Sequence, residues 1–394
     1  MTPSLRIAFV APRFAEGAAI GGAETLLRSL AACLARAGVS VSFLTTCARN
    51  HFTWQNQVEP GTRRIGDLDV TFFPVDQDRD IASFLRIQDA ICRGIRVPAE
   101  EEDLWLANSV NSAALCEHLR AHDDDYDRVV VGPYLFGLTY AVARLHPQKA
   151  ILVPCLHDEP FARVSRIGDM FREVGRIMFN TEPERDLGVR LYDLDPSRCH
   201  VVGIGLDDFA SDPRAFAERR GIDAPYVVYC GRREPLKGTP LLVDYIAAFR
   251  ARTGVDVKLV LTGSGPVDLP PDLAPHVIDA GFVSEAEKHD AMAGAVTFCH
   301  PSVNESLSIV LLESWLARTP ALVHAGSAVM QHQCRRSNGG LWFRTYPEFE
   351  EALQLLLRNP GLRERMGKMG RDYVLTEYSW ERIRSRLLAA LNGS

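Results

Sequence analysis

Several features that define other protein classes are missing from these 394 residues. No stretch approaches about 18 uninterrupted apolar residues, so no membrane-spanning helix is predicted. The nine cysteines are odd in number, have no CxxC spacing and form no zinc-site spacing with histidine. They favour a reducing compartment over a disulfide framework. The opening MTPSLRIAFVAPRF is read as a first strand instead of a signal peptide, so we expect a cytoplasmic protein, with membrane contact at most peripheral.

Excess positive charge and a dinucleotide fingerprint are also missing. The formal net charge is −6, which argues against broad nucleic-acid binding and against adhesion to anionic lipid. The strand-like run VKLVLTG (257–263) is followed by Gly263-Ser264-Gly265-Pro266, but the final glycine of a GxGxxG pattern is replaced by Asp268. A nicotinamide or flavin enzyme is therefore disfavoured. The turn itself fits either a nucleotide site or ordinary loop chemistry.

Strands that alternate with helices are what the sequence does contain. A strand (5–12), a leucine-rich helix and a second strand (39–46) open the chain, and the pattern restarts at YVVYC (226–230). Such alternation predicts parallel sheets covered by helices on both faces. We therefore expect an α/β protein with two Rossmann-like, doubly wound domains, 1–205 and 206–375. A terminal helix at about 376–394 is expected to pack back on the first domain.

The stretch CGRREPLKG (230–238) places three cations after a predicted strand end. Thr239-Pro240 then open a helix, and a helix N-terminus attracts anions. Arg232 and Lys237 could converge on one dianionic group through bonds worth about 1.5–3 kcal/mol each. A solvated surface turn is the alternative.

The stretch ESLSIVLLE (305–313) follows another predicted strand end, VTFCHPS. We expect Glu305 in the loop, and open backbone N–H groups at the helix start near Ser306 and Ser308. Glu313 lies within an apolar helix, so its carboxylate should have a polar partner. The alternatives are that Glu305 complements the helix dipole and that Glu313 is a solvated helix residue.

Weaker candidates lie in the first half of the chain. His157 in LHDEP closes a predicted strand and could move a proton, or it could be a satisfied structural histidine. Gly21 and Gly22 lie in a glycine-rich loop (14–22), where a backbone can approach a ligand closely. Thr181 to Glu184 is read as a structural capping box. The acidic triplets at 67–69, 76–80 and 123–127 lack helper residues, so no metal site is expected.

The order and spacing of these pieces resemble the retaining glycosyltransferases of family 4, which have the GT-B fold of two Rossmann-like domains facing a central cleft. The resemblance rests on the glycine loop, the strand-end histidine, GRREPLKG, LVLTGSGP and ESLSIVLLE. It covers most of residues 1–30 and 150–390 and is weakest over about 48–125. GR-x4-KG followed by E-x7-E is specific as a combination, whereas either motif alone is weak.

The resemblance implies a UDP- or GDP-sugar donor, an acceptor hydroxyl and no cofactor or metal. The acceptor would be a carbohydrate, a lipid-linked glycan or a small molecule. The implied catalytic residues are His157, Glu305, Arg232 and Lys237. The implied donor-binding residues are Gly21, Gly22, Arg232, Lys237, Gly263, Val283, Glu305, Ser306, Leu307, Ser308, Ile309 and Glu313.

The sequence also departs from the family pattern. The family commonly has E-G-F-G where this chain has Glu-Ser-Leu-Ser, so a tighter pocket near the sugar is expected. Arg233 replaces a leucine or isoleucine, and a loop at 333–340 is unusually basic. These departures keep two other functions open: a nucleotide-sugar epimerase of the same fold, and an inactive partner or nucleotide-sugar sensor.

Overall fold

The computed structural model describes residues 5–14 and 21–393. Most of the predicted glycine loop, at 15–20, lies outside the described residues. The chain divides into two compact units. The first comprises Met1–Gly205 with Trp380–Ser394, and the second comprises Leu206–Ser379.

The first unit is an α/β layer structure built on eight strands. Its strands are β1 Arg6–Ala11, β2 Ser40–Thr46, β3 Gly61–Ile65, β4 Leu68–Phe73, β5 Arg128–Val131, β6 Ala150–Leu152, β7 Arg176–Phe179 and β8 Cys199–Val201. Its first seven helices are α1 Gly22–Arg36, α2 Ile81–Cys92, α3 Ala99–Ala107, α4 Ala113–Ala121, α5 Gly137–Ala143, α6 Ser165–Glu173 and α7 Glu182–Tyr192.

The sheet of the first unit has the order β3-β4-β2-β1-β5-β6-β7-β8. All neighbouring pairs are parallel except β3 and β4, which form an antiparallel edge. The apolar run of β1 is buried from Ile7 to Ala11, as expected for a central strand covered on both faces. The chain order reverses between β1 and β5.

The second unit carries six strands, all in parallel pairs. Its strands are β9 Tyr226–Cys230, β10 Lys258–Thr262, β11 Val277–Gly281, β12 Thr297–His300, β13 Ala321–His324 and β14 Gly340–Phe343. Their order is β11-β10-β9-β12-β13-β14. Its helices are α8 Pro213–Arg220, α9 Thr239–Thr253, α10 Glu285–Ala293, α11 Ile309–Leu316, α12 Ala328–Ser337, α13 Tyr346–Arg358 and α14 Pro360–Glu377.

The last helix, α15 Trp380–Asn392, belongs to the first unit. The Arg36 guanidinium lies over the Trp380 ring at 5.7 Å. Arg128 and Arg176 donate to the Leu391 carbonyl at 3.3 and 2.8 Å. Carbonyls at a helix C-terminus lack partners within the helix, so these arginines satisfy one of them and fix the end of α15.

Two details of the sequence interpretation need correction. The predicted basic loop at 333–340 is wrong over most of its length, because residues up to Ser337 form the end of α12 and β14 starts at Gly340. Arg335 lies in the last helical turn, where a cation complements the helix dipole, and it covers the Trp342 ring at 5.2 Å. The edge strand β3 was not predicted. Among the described residues, no helix is long and apolar enough to cross a membrane.

Candidate active site

The two strongest motifs follow the carboxyl ends of β9 and β12. These two strands are neighbours, and the chain order of the second sheet reverses between them. Ligands of open α/β sheets bind in the crevice at such a switch point. GRREPLKG leaves β9 and ESLSIVLLE follows β12, so the topology brings the two motifs to the same edge of the sheet.

A partly buried ion pair joins these motifs. The Lys237 Nζ lies 2.7 Å from Glu305 Oε1, and the side chains are 24% and 11% exposed. His300, the last residue of β12, places Nε2 3.2 Å from the same oxygen. Burial alone would raise the pKa of Glu305, but His300 and Lys237 outweigh it and hold that pKa well below its usual range. Glu305 is therefore an ionised carboxylate held between two nitrogen groups.

The three arginine and lysine residues of CGRREPLKG have different environments. The Arg232 side chain is 54% exposed and lies 3.4 Å from Glu234, so it remains accessible to an anion. Arg233 is buried, lies 2.6 Å from Asp279 of β11 and donates to the Gly263 carbonyl at 2.9 Å. Its backbone N–H donates to Ser264. Arg233 thus ties the loop after β9 to β11 and to the turn after β10.

That turn requires glycine. Gly263 has φ +111°, and a Cβ there would lie 2.0 Å from the Gly231 carbonyl oxygen. Its N–H donates to Gly281 at 2.7 Å, which links the ends of β10 and β11. No side chain fits between these strand ends, so the backbone there stays closely packed.

Glu313 has the polar partner expected from its apolar helix. It is 8% exposed within α11, and Lys288 of α10 places Nζ 3.0 Å from Oε1 and 2.9 Å from Oε2. Lys288 also contacts Glu285 at 2.6 Å. Burial lowers the pKa of Lys288, but the two carboxylates outweigh burial and raise it overall. The prediction of a polar partner is confirmed, and the ammonium holds Glu313 in place.

One group of three ligating side chains, Glu285, His289 and Glu313, is close enough to hold a metal among residues 5–14 and 21–393. The Lys288 ammonium already contacts both carboxylates of this group. The acidic triplets engage other partners. Asp80 caps α2 through the Ser83 N–H, and Asp123 contacts Lys149 at 2.8 Å.

In the first unit, His157 follows β6 and is half-buried. Its Nδ1 lies 3.6 Å from Glu159 Oε1, and the buried Tyr134 hydroxyl donates to that oxygen at 2.7 Å. Asp158 contacts Arg163 at 2.6 Å instead. Glu159 is therefore oriented by Tyr134 and in turn faces the histidine.

A buried glutamate supports the same strand ends. Glu184 accepts from the N–H groups of Leu156 and Asn180 at 2.6 and 2.5 Å. Thr181 caps α7 by accepting from the Glu184 N–H at 3.3 Å, and the Glu184 carboxylate interacts in return with the Thr181 backbone, as in the predicted capping box. Burial raises the pKa of Glu184 from 4.5 to about 8, although the N–H donors of Asn180 and Leu156 oppose the shift.

The other predicted site residues surround helix starts and strand ends. Gly21 precedes α1 and accepts from Thr25, and Gly22 is the first residue of that helix. Val283 follows β11 and is half-buried. The segment before and at the start of α11 comprises the half-buried Ser306, the buried Leu307 and Ser308, and the half-buried Ile309.

Sequence reasoning missed Lys288 and His300, and it assigned Glu184 to a capping box without its contacts to Leu156 and Asn180. His300 had a visible signal, since it is a polar residue that ends an apolar strand directly before Pro301. Lys288 has no such signal for its contact with Glu313, because that partner lies on another helix.

The family model described as "Glycosyl transferases group 1" matches residues 214–373. Alpha-D-kanosaminyltransferase of Streptomyces kanamyceticus is 30% identical over 291 residues, which cover 66% of this chain and 73% of that protein. D-inositol 3-phosphate glycosyltransferase of Nocardioides sp. is 28% identical over 252 residues, 57% of this chain and 54% of that protein. This chain therefore spans little more than half of the length of that relative.

The solved structure of Anabaena HepE in complex with UDP-glucose superposes with a TM-score of 0.71 at 14% identity, over 99% of this chain and 100% of that one. The fold is GT-B, with two Rossmann-like parallel-sheet units, as the sequence predicted. The chain belongs to the group 1 glycosyltransferases.

Proposed function

We propose that this protein is a retaining glycosyltransferase that transfers a sugar from a UDP- or GDP-sugar to an acceptor hydroxyl. The observation that carries the proposal is the partly buried Lys237–Glu305 pair with His300, at the switch point of the second sheet. The names of its relatives support it, since they include glycosyltransferases and a neighbour solved with UDP-glucose.

The donor would lie across the strand ends of the second unit. Arg232 and Lys237 would bind its diphosphate, and Glu313 would accept hydrogen bonds from the ribose hydroxyls. Val283 would border the base, and Glu305 would contact the sugar. The remaining contacts would come from the Gly263 turn and from Ser306, Leu307, Ser308 and Ile309.

The reaction would break the bond between the anomeric carbon and the phosphate oxygen, and form a bond to the acceptor oxygen on the same face. The acceptor proton would pass to the departing diphosphate. The two cations and the start of α11 would stabilise the charge on the leaving group. Glu305 is held ionised by its neighbours, so its part would be electrostatic support and positioning, without donating a proton.

The acceptor class is the broadest part of the proposal. Assembly of a bacterial surface polysaccharide, a lipid-linked glycan or a glycosylated metabolite would each supply a hydroxyl. We place the reaction in the cytoplasm, with at most peripheral contact with a membrane. The relative named for D-inositol 3-phosphate supports a polar, hydroxyl-bearing acceptor.

Donor turnover by Lys237→Ala tests the proposal. We expect a loss of at least tenfold, because one charge-assisted bond contributes about 1.5–3 kcal/mol. Lys368→Ala is the matched control, since Lys368 is an exposed lysine on α14 of the same unit. Near-wild-type turnover by Lys237→Ala would refute the proposal.

Three further outcomes separate the alternatives. Undiminished turnover in EDTA is expected, whereas a strong loss would favour a metal-dependent reaction. Release of epimerised free sugar from the donor alone would indicate an epimerase. Donor binding without turnover across a panel of acceptors would indicate a sensor or an inactive partner.

A further inference from the structure

His300 is a buried polar residue at the end of an apolar strand. All four residues of β12 are buried, and the His300 side chain is 4% exposed. Two aromatic rings flank its imidazole, with Phe298 at 5.6 Å and Tyr229 of β9 at 6.0 Å between ring centroids. A leucine or a phenylalanine would fill this space without the cost of burying two ring nitrogens.

The two nitrogens of the His300 ring have different surroundings. Nδ1 has no hydrogen-bond partner among residues 5–14 and 21–393, whereas Nε2 lies 3.2 Å from Glu305 Oε1. A carboxylate oxygen accepts hydrogen bonds, so Nε2 carries a proton in the neutral ring as well as in the imidazolium. Because an unpaired buried nitrogen destabilises a fold, the contact with Glu305 accounts for a histidine at this position.

The charge and the orientation of Glu305 depend on this contact. Its Oε1 atom lies 2.7 Å from Lys237 Nζ and 3.2 Å from His300 Nε2, so two nitrogen groups fix one oxygen. Burial raises the pKa of Glu305, and among the groups that oppose burial His300 lowers it most, ahead of Lys237. His300 therefore keeps the carboxylate ionised and restricts the direction in which it points.

We propose that His300 is a positioning residue for the transfer step, which holds Glu305 ionised and oriented toward the transferred sugar. This inference rests on the proposed function, in which Glu305 contacts the sugar and Lys237 binds the diphosphate. With its side chain 4% exposed, His300 acts through Glu305 instead of contacting the donor. Loss of His300 should therefore slow the transfer step, but it should leave the binding of a nucleoside diphosphate, which carries no sugar, nearly intact.

Three substitutions of His300 separate this role from a structural one. His300→Leu and His300→Phe remove both nitrogens and keep an apolar side chain, whereas His300→Gln keeps an N–H group that can donate to Glu305. His200→Leu is the matched control, because His200 is a strand histidine of the first unit whose Nε2 is likewise unpaired among the described residues. Thermal midpoints identify the folded variants.

The measurements are kcat with the UDP- or GDP-sugar that the wild type turns over, and the affinities for UDP and GDP by calorimetry. We expect His300→Leu and His300→Phe to lower kcat about tenfold, the effect of one lost hydrogen bond to a charged group, with nucleoside diphosphate affinity within about twofold of wild type. His300→Gln should recover most of the lost kcat. His200→Leu should keep wild-type kcat.

The dependence of kcat on pH gives a second readout. The groups that face His300 are the Glu305 carboxylate, the Lys237 ammonium beyond it, and the Tyr229 ring, whose pKa is raised by burial. His300 holds the pKa of Glu305 down, so its loss should raise that pKa and let Glu305 protonate at a higher pH. The acid limb of kcat in His300→Leu should therefore move up by about one pH unit, a tenfold change in proton affinity.

Wild-type kcat and an unshifted acid limb in either folded apolar variant would overturn the inference. Equal losses of kcat and of nucleoside diphosphate affinity would also overturn it, because the whole strand end would then be disturbed. If neither His300→Leu nor His300→Phe folded, His300 would be required by the fold itself, and the inference would fail as well. If the wild type bound neither UDP nor GDP and turned over no donor, the proposed function itself would fail, a result distinct from the failure of His300 alone.

Discussion

The Lys237–Glu305 pair makes a quantitative prediction about stability and turnover together. Lys237→Met leaves the Glu305 carboxylate, 11% exposed, with His300 Nε2 at 3.2 Å as its remaining close nitrogen contact. Removing one partner of a buried pair costs about 3–5 kcal/mol. We expect a loss near 3 kcal/mol in the free energy of unfolding, because the Lys237 side chain is itself 24% exposed.

The double variant Lys237→Met with Glu305→Gln removes both charges. Stability should recover by about 2 kcal/mol relative to the sum of the single changes, as expected for residues in direct contact. Donor turnover should not recover, because the cation that we propose to bind the diphosphate is still missing. Urea unfolding and a coupled assay of nucleoside diphosphate release measure the two quantities.

Additive stability changes in this cycle would contradict the ion pair. Recovery of turnover in the double variant would contradict the role of Lys237 as a diphosphate ligand. Circular dichroism of each variant ensures that a loss of turnover is compared between folded proteins.

Three other predictions concern Glu184, Glu313 and Gly263. The pKa of Glu184 is about 8 in the folded protein, against an ordinary value of 4.5, so the folded protein binds an extra proton between these values. The free energy of unfolding should therefore fall as pH rises from 4.5 to 8. Glu184→Gln should remove that slope in urea unfolding, and an unchanged slope would contradict the assignment to Glu184. Glu313→Ala should weaken UDP or GDP binding about tenfold but leave binding of the 2′,3′-dideoxy nucleotide nearly unchanged in calorimetry; equal losses for both nucleotides would refute the ribose contact. Gly263→Ala should destabilise by roughly 2–4 kcal/mol, because its Cβ would meet the Gly231 oxygen at 2.0 Å. Gly254→Ala should cost less, because Gly254 has φ +67° but no atom of the described residues within 4 Å of a Cβ. Equal losses of stability in urea unfolding would contradict the packing argument.

Much of the fold was predictable because a buried parallel strand appears in the sequence as a short apolar run. The run YVVYC coincides with β9, and VKLVLTG contains β10 within one residue at each end. Edge strands carry weaker patterns. β3, with the sequence GTRRI, is exposed at four of its five residues, so hydrophobicity does not mark it.

The site was predictable where a motif follows a strand end, and less so where partners meet through the fold. Glu305 was expected in the loop and Glu313 in the helix, and both lie there. The partner of Glu313, Lys288, comes from another helix, and no spacing along the chain indicates that contact.

The role of Arg233 could not be predicted from the sequence either. The sequence places it between two candidate ligands of an anion, which left its role unexplained. In the fold, its guanidinium turns away to Asp279 and the Gly263 carbonyl. Three cations close in sequence thus have three environments: exposed, structural and paired with Glu305.

The central claim is tested most directly by a thermal-shift comparison of wild type and Lys237→Ala. The ligands are UDP, GDP, UDP- and GDP-sugars, AMP and NAD. Ligand at 100 times its dissociation constant stabilises a protein by about 2.7 kcal/mol, which is readily seen in a melting curve. The account predicts that UDP or GDP and its sugars raise the wild-type midpoint, and that the shift is largely lost in Lys237→Ala. No shift with any nucleoside diphosphate, or equal shifts in the two proteins, would contradict it.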